Sequence, residues 1–405
     1  MTYISRHIEQ ILREMLEQFK VVLITGPRQV GKTTMLKHSL PNYDYVTLDD
    51  MSELSLAKTD PALFFKNHRF PIIIDEVQYA PELFRYIKLL CDQTDLKGQI
   101  CLTGSQTYHL MHNVSESLAG RIGILEMQGF SLRELYDISY TDPFIPTDDQ
   151  LMNRGKCLKS YDHIWKNIQH GSMPALSDKQ MNWSYYYQSY VKSYIERDVR
   201  NLMNIKDAQL FYKFMIALAA RTGSLFNAND IANTIDVSLK TVQSWISILE
   251  ASGIIFFLRP YENNLLKRVV KKNKIYFYDT GLICYLIGWD NEKVLQNGAM
   301  SGAIFETFII SEIAKSYLNR GQNLQSLFFY RDNNQKEIDL IIAKADQVYP
   351  IEIKVSSTPS TSMGKNFSVL KHTDNVHIHP GTILCLSDRQ FWLKSDLQSL
   401  AIDYV

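Results

Sequence analysis

Gly26-Pro27-Arg28-Gln29-Val30-Gly31-Lys32-Thr33 satisfies the pattern GxxxxGK[ST] at every position. In that spacing the glycines let the backbone wrap a phosphate with its N–H groups, and the lysine neutralises the β/γ oxygens. The threonine hydroxyl, at the start of the following helix, is placed for Mg²⁺. Residues 26–34, Thr34 included, are therefore expected to hold a nucleoside triphosphate. Further on, Asp75 and Glu76 close the apolar run Pro71–Ile74. A buried strand that delivers two adjacent carboxylates suits Asp75 to hold Mg²⁺ through water and Glu76 to orient or deprotonate the attacking water. The next apolar run ends in Thr103-Gly104-Ser105, where Ser105 is expected to sense the γ-phosphate.

A second constellation lies near the C-terminus. Asp339 in KEIDLII and Glu352-Ile353-Lys354 in YPIEIKV flank a short turn at residues 343–347, which predicts a β-hairpin. Strand alternation puts Glu352 and Lys354 on one face and Ile351, Ile353 and Val355 on the other. If Asp339 shares the first face, two carboxylates and a lysine converge. This D…ExK arrangement resembles that of restriction-endonuclease-like folds, in which the acids chelate Mg²⁺ against a phosphodiester and the lysine assists the water. The same resemblance makes Glu306, in GAIFETFIISEIAK, an additional helical acid, with Arg331 as a phosphate contact. An exposed E-x-K on an ordinary strand gives the same pattern, so the alternative is a domain that binds a partner without cutting.

These residues need elements to position them. Strands are expected at 20–25, 44–48, 71–75 and 99–103, with a helix from Pro81 to Thr94. Strand–helix alternation of this kind predicts an α/β fold with a parallel sheet covered on both faces. The expected organisation is a P-loop ATPase domain over 1–137, then a linker and helical region over 138–222. A winged helix-turn-helix follows over 223–300 and a nuclease-like α/β domain over 301–405. Within the second region, 138–156 is polar and contains proline, as a linker does, and the tyrosines of WSYYYQSYVKSYIERDVRNLM are expected to pack against a neighbour. In the third, Ile231 and Ile235 form one apolar stripe and Val242, Ile246 and Leu249 another, with Ser238 as the cap of the second helix. Strand-like runs follow at 254–258 and 275–278. After residue 301 the pattern predicts helix, three strands, helix, strand.

Composition sets the outer bounds. Hydrophobic residues at 45% and charged residues at 21% exclude a disordered, collagen-like or coiled-coil chain. Lys+Arg and Asp+Glu both number 43, so attraction to a polyanion must be local. One local source is Lys267, Arg268, Lys271, Lys272 and Lys274, which are expected to neutralise a DNA backbone beside the winged helix. The second helix offers Lys240, Thr241, Gln243 and Ser244 for base contact. Five scattered cysteines with no CxxC pair predict neither disulfides nor zinc, and no apolar run nears the ~20 residues of a membrane span. His109/His112 and His377/His379 are expected at the surface. A cytoplasmic protein without membrane attachment is the expectation.

The ordered set GPRQVGKTT, IIIDEVQ, LTGSQ and SLAGRIGILEM resembles the predicted AAA+ ATPases of bacteria and archaea, whose C-terminal domain is of unknown function. The resemblance continues through HGSMPAL (170–176), YIERDV (194–199), KIYFYDTGL (274–282) and EIDL…IEIK, nearly the whole chain. It implies ATP with Mg²⁺, hydrolysis, and assembly into a homo-oligomer in which Arg121 reaches a neighbouring subunit's site. Arg197 and Arg221 are candidates for a second sensor. Two functions fit: an ATPase acting on or near DNA with a nuclease-like domain, or a slow ATP-gated switch or scaffold whose last domain binds without cleavage.

Overall fold

Every residue of β1 (Val21–Thr25), β3 (Ile72–Asp75) and β4 (Ile100–Thr103) is buried. Continuous burial requires cover on both faces of the sheet. The computed structural model describes residues 3–105, 118–194, 208–262, 272–372 and 376–405. With β2 (Asp44–Thr47) and β5 (Ile122–Glu126) these strands form a parallel sheet in the order β2-β3-β4-β1-β5. Alternation along β1 divides the cover. Val22 and Ile24 pack with Ile8, Leu12 and Leu16 of the helix Ile8–Gln18, whereas Val21 and Leu23 share a core with Leu83, Phe84 and Ile87 of Glu82–Gln93. The order also sets the tips of β1, β4 and β3 side by side. The segments that leave them, beginning at Gly26, Gly104 and Glu76, therefore emerge at one edge.

Residues 138–156 are not a solvated linker. Thr147 caps a helix, Asp148–Gly155, and Ile138, Phe144, Leu151 and Arg154 are buried. Arg154 donates to the Tyr161 hydroxyl (3.0 Å) and to the Asp403 carbonyl, so the polar groups that suggested a linker are engaged by the fold. The tyrosines pack in part: Tyr186, Tyr187 and Tyr190 on the helix Trp183–Tyr194 are buried, whereas Tyr185 is exposed. The helices Ala228–Ile235 and Leu239–Ala251 meet at a turn where Asp236 takes φ 58°, and Ser238 Oγ accepts the Thr241 N–H at 3.1 Å.

An antiparallel pair follows, β6 (Ile255–Pro260) and β7 (Lys274–Phe277). β6 also pairs in parallel with β8 (Leu327–Arg331), which joins this hairpin to the C-terminal strands. These are β9 (Glu337–Lys344), β10 (Gln347–Lys354), β11 (His377–Ile378), β12 (Gly381–Cys385), β13 (Phe391–Lys394) and β14 (Leu397–Ala401). The path runs β13-β14-β12-β10-β9-β8-β6-β7, with β11 on β10. The long helix Ser301–Leu318 packs on β10 and β7. The second helix expected after residue 301 is a run of 3₁₀ turns over Thr361–His372, and four strands follow it rather than one. Among the described residues no helix is long and apolar enough to cross a membrane.

Candidate nucleotide site and C-terminal acid cluster

Gly26 takes φ 136° and Gly31 φ 90°, conformations that a side chain adopts only with strain. A Cβ on Gly26 would also lie 2.0 Å from the Met127 carbonyl oxygen, because the exit of β5 passes directly behind the loop. Lys32 and Thr33 open the helix Lys32–Ser39. Lys32 is buried, and its ammonium donates to the carbonyls of Gly26 (2.9 Å) and Pro27 (2.8 Å), inside the loop. Thr33 Oγ1 donates to Asp75 Oδ2 at 2.8 Å, Tyr45 OH donates to the same oxygen at 2.9 Å, and Thr103 Oγ1 donates to Oδ1. The next residue, Glu76, has φ 57° and donates its N–H to Thr103 Oγ1 at 3.3 Å. Its Oε2 accepts from the Gln78 amide and, at 3.4 Å, from the Ser105 hydroxyl. Thus Asp75 faces the helix start and Glu76 faces β4. Thr34 is exposed, as is Gln29, while Val30 is buried.

Three supports of this edge were not legible from motifs. Tyr45 and Gln78 act through the two carboxylates, and Arg6 braces the loop from behind. Arg6 donates to the Val30 carbonyl (2.9 Å) and the Gln128 carbonyl (2.7 Å), and pairs with Glu134 at 3.0 Å. Burial alone would raise the Glu134 carboxyl, but Arg6 and His7 beside it bring it below its ordinary value. Arg121 lies elsewhere. It precedes β5 at the sheet's opposite end, is about a third exposed, and pairs with Asp92 at 2.8 Å. It is not brought to this chain's own loop. Arg221 is tied to Asp230 and Thr234 on the helix Ala228–Ile235, and Arg197 lies outside the described residues.

β9 and β10 are antiparallel, as the hairpin reading predicts, and bring Asp339 and Glu352 together in a buried position. Lys354 Nζ lies 2.7 Å from Glu352 Oε1 and 3.3 Å from Asp339 Oδ2, and Asp339 Oδ2 also accepts the Ile353 N–H at 2.8 Å. Glu306 joins them from the helix Ser301–Leu318. Its Oε1 accepts from Tyr276 OH (2.6 Å) and Lys274 Nζ (3.1 Å). Burial first, then the charge of Asp339, pushes the Glu306 and Glu352 carboxyls up to about 7. The acids therefore act on one another. Glu352 Oε2 is buried with no hydrogen-bond partner, an oxygen whose chemistry fits a cation.

Lys274 does not face a DNA backbone. It is 2% exposed and sits between Glu306 and Glu337, the latter at 2.5 Å. Alternation along β7 explains this, since Lys274 and Tyr276 share the face that meets the acids. Arg331 is paired with Glu337 at 2.9 Å. Lys272 is exposed, whereas Lys267, Arg268 and Lys271 lie outside the described residues, as do His109 and His112. His379 stacks on Tyr349 at 4.1 Å and His377 is exposed. Among the described residues, no three His, Cys, Asp or Glu side chains are grouped to hold a metal ion. In the acid cluster, lysines occupy the spaces between the carboxylates.

HGSMPAL and YDTGL, far apart in sequence, form a buried joint. Asp279 accepts the Ser172 N–H (2.8 Å) and Tyr187 OH (2.6 Å). The joint abuts the phosphate loop: a Cβ on Gly31 would lie 3.9 Å from Pro174, and one on Gly129 would lie 2.4 Å from Ser172 Oγ.

Residues 18–136 match the AAA domain family, 161–293 a domain of unknown function (DUF8612), and 301–404 a domain of unknown function (DUF4143). An uncharacterized protein of Mycobacterium tuberculosis, Rv2008c, is 28% identical over 355 residues, which cover 87% of this chain and 74% of that relative. The uncharacterized protein MJ1637 of Methanocaldococcus jannaschii is 25% identical over 337 residues, 74% of this chain and 70% of the relative. Among solved structures, a Walker-type ATPase of Pyrococcus abyssi aligns over 69% of this chain and 94% of its own, with 15% identity and a TM-score of 0.39. A RuvB variant of Thermotoga maritima aligns over 62% and 88%, with 17% identity and a TM-score of 0.29. The domain match, together with the parallel sheet and its loop, makes the first region an AAA-type ATPase domain.

Proposed function

We propose that this protein binds and hydrolyses ATP at the edge where β1, β3 and β4 end. One observation carries the reading: Asp75 accepts at once from Thr33 at the start of the loop's helix and from Thr103 at the tip of β4. Three distant segments thus converge on one carboxylate beside Lys32. The donor set of hydroxyl and carboxylate oxygens fits Mg²⁺, which when bound neutralises charge on the β/γ oxygens. Lys32 exchanges its two loop carbonyls for phosphate oxygens. Thr33 and Asp75 orient the nucleotide's charged end, Ser105 faces the γ-phosphate, and Glu76 takes or orients the proton of the attacking water. Gln78 and Ser105 hold Glu76 for that task. The test is ATP affinity in Lys32→Ala, read with a fluorescent ATP analogue. Loss of at least about tenfold is expected for a charge-assisted phosphate contact, and unchanged affinity contradicts the reading.

A second reading concerns the C-terminus, favoured by the buried, unpartnered Glu352 Oε2 beside Asp339. Here the last region is a nuclease-like domain whose Asp339 and Glu352 hold Mg²⁺ while Lys354 and Glu306 serve the water. The hairpin and its two helices are then a winged helix that offers Lys240, Thr241, Gln243 and Ser244 to DNA. Mg²⁺-dependent strand breaks that vanish in Asp339→Ala support it. Nucleotide-dependent partner binding without breaks supports the switch or scaffold instead.

A further inference from the structure

The acid cluster is occupied from within. Lys274 belongs to β7, a different segment from the helix and hairpin that carry the acids, yet its ammonium lies 3.1 Å from Glu306 and 2.5 Å from Glu337. Tyr276, on the same face of β7, places its hydroxyl 2.6 Å from Glu306. Glu337 and Asp339 are two residues apart on β9 and so share a face. The strand therefore inserts one cation and one donor where the carboxylates converge. Neutralising clustered carboxylates is what a bound divalent ion would do there, and the lysine competes for that role.

The hairpin that carries Lys274 also reaches the ATPase domain. A Cβ on Gly253, two residues before β6, would lie 3.0 Å from Pro27 of the phosphate loop. One short structural unit thus touches the nucleotide loop at one end and the acid cluster at the other.

We propose that Lys274 is an internal counter-cation that keeps the affinity of the acid cluster for Mg²⁺ or Mn²⁺ low. This rests on reading Asp339 and Glu352 as a divalent-cation site. The test is calorimetric titration of Mn²⁺ into the nucleotide-free full chain, wild type against Lys274→Met, with Asp339→Asn assigning the binding to the cluster. Lys274→Met should bind at least about tenfold more tightly, because a buried positive charge beside the site is gone. Lys274→Met takes one partner from Glu306 and Glu337, which keep Tyr276 and Arg331, and can impair folding, so Lys274→Gln, which keeps a hydrogen-bond donor without the charge, is the companion variant. It too should bind more tightly than wild type. Affinity equal to or below wild type in a folded variant overturns the counter-cation role and leaves the cation site standing. Absence of Asp339-dependent binding in every variant removes the site, and this inference with it.

Discussion

Asp75 receives three hydroxyl donors, from Thr33, Tyr45 and Thr103, whereas its neighbour Glu76 is held by an amide and a serine. Under the proposed hydrolysis these adjacent carboxylates divide the work: Asp75 orients, and Glu76, more lightly held, serves the water. Gln78→Leu should lower kcat several-fold and leave the KM for ATP unchanged, because the amide touches Glu76 and not the phosphate path. Steady-state phosphate release across ATP concentrations separates the two parameters, and a rise in KM alone counts against this role. In the acid cluster the sign of the pH dependence is fixed by the upward displacement of Glu306 and Glu352 to about 7. An acid whose folded value is raised favours the folded state at low pH and loses that contribution as pH rises through the folded value. In chelator-treated protein, Tm should therefore fall between about pH 4.5 and 7 through these groups. Glu352→Gln should flatten part of that fall, and an identical pH–Tm curve for the variant speaks against the coupling.

At the scale of elements, the phosphate loop depends on a glycine that the sheet itself demands. Gly26→Ala meets both the positive φ of 136° and the Met127 carbonyl, so it should cost at least about 2 kcal/mol, read from urea unfolding. A change within about 0.5 kcal/mol, ordinary for a surface site, contradicts that packing. The strands of this sheet were legible because doubly covered parallel strands are unbroken apolar runs, and the loop because its glycine and lysine spacing is tied to one geometry. Other elements hid their structure behind polar composition. β14 contains buried Gln398 and Ser399, with Gln398 donating to Thr382 at 3.1 Å, so it lacks a strand's apolar signature. The segment 138–156 is misread for the same reason. Lys274 could not be separated from its basic neighbours until the face of β7 was known. Asp339 and Glu352 were legible because a short turn fixes the register across a hairpin.

Across the whole molecule, Asp279 and Ser172 join the two motifs that lie behind the phosphate loop, and the same chain continues into the shared C-terminal sheet. Tyr187→Phe removes a 2.6 Å donor from the buried Asp279. A loss of about 1.5–3 kcal/mol in unfolding free energy is expected for a hydrogen bond to a charged group, and no loss contradicts a structural joint. Arg121 lies at the far end of the sheet from its own loop, paired with Asp92, so the trans role that the resemblance implies would need a second copy of the chain. Arg121→Ala should bind ATP normally yet turn over slowly, and mixing it with Glu76→Gln should restore part of the activity. Failure of rescue with confirmed subunit exchange counts against action in trans. Hydrolysis at this edge is decided by phosphate release from Glu76→Gln, measured beside its ATP affinity. The prediction is affinity close to wild type with release lowered at least about a hundredfold, the range a positioned general base supplies. Release at the wild-type rate would contradict it.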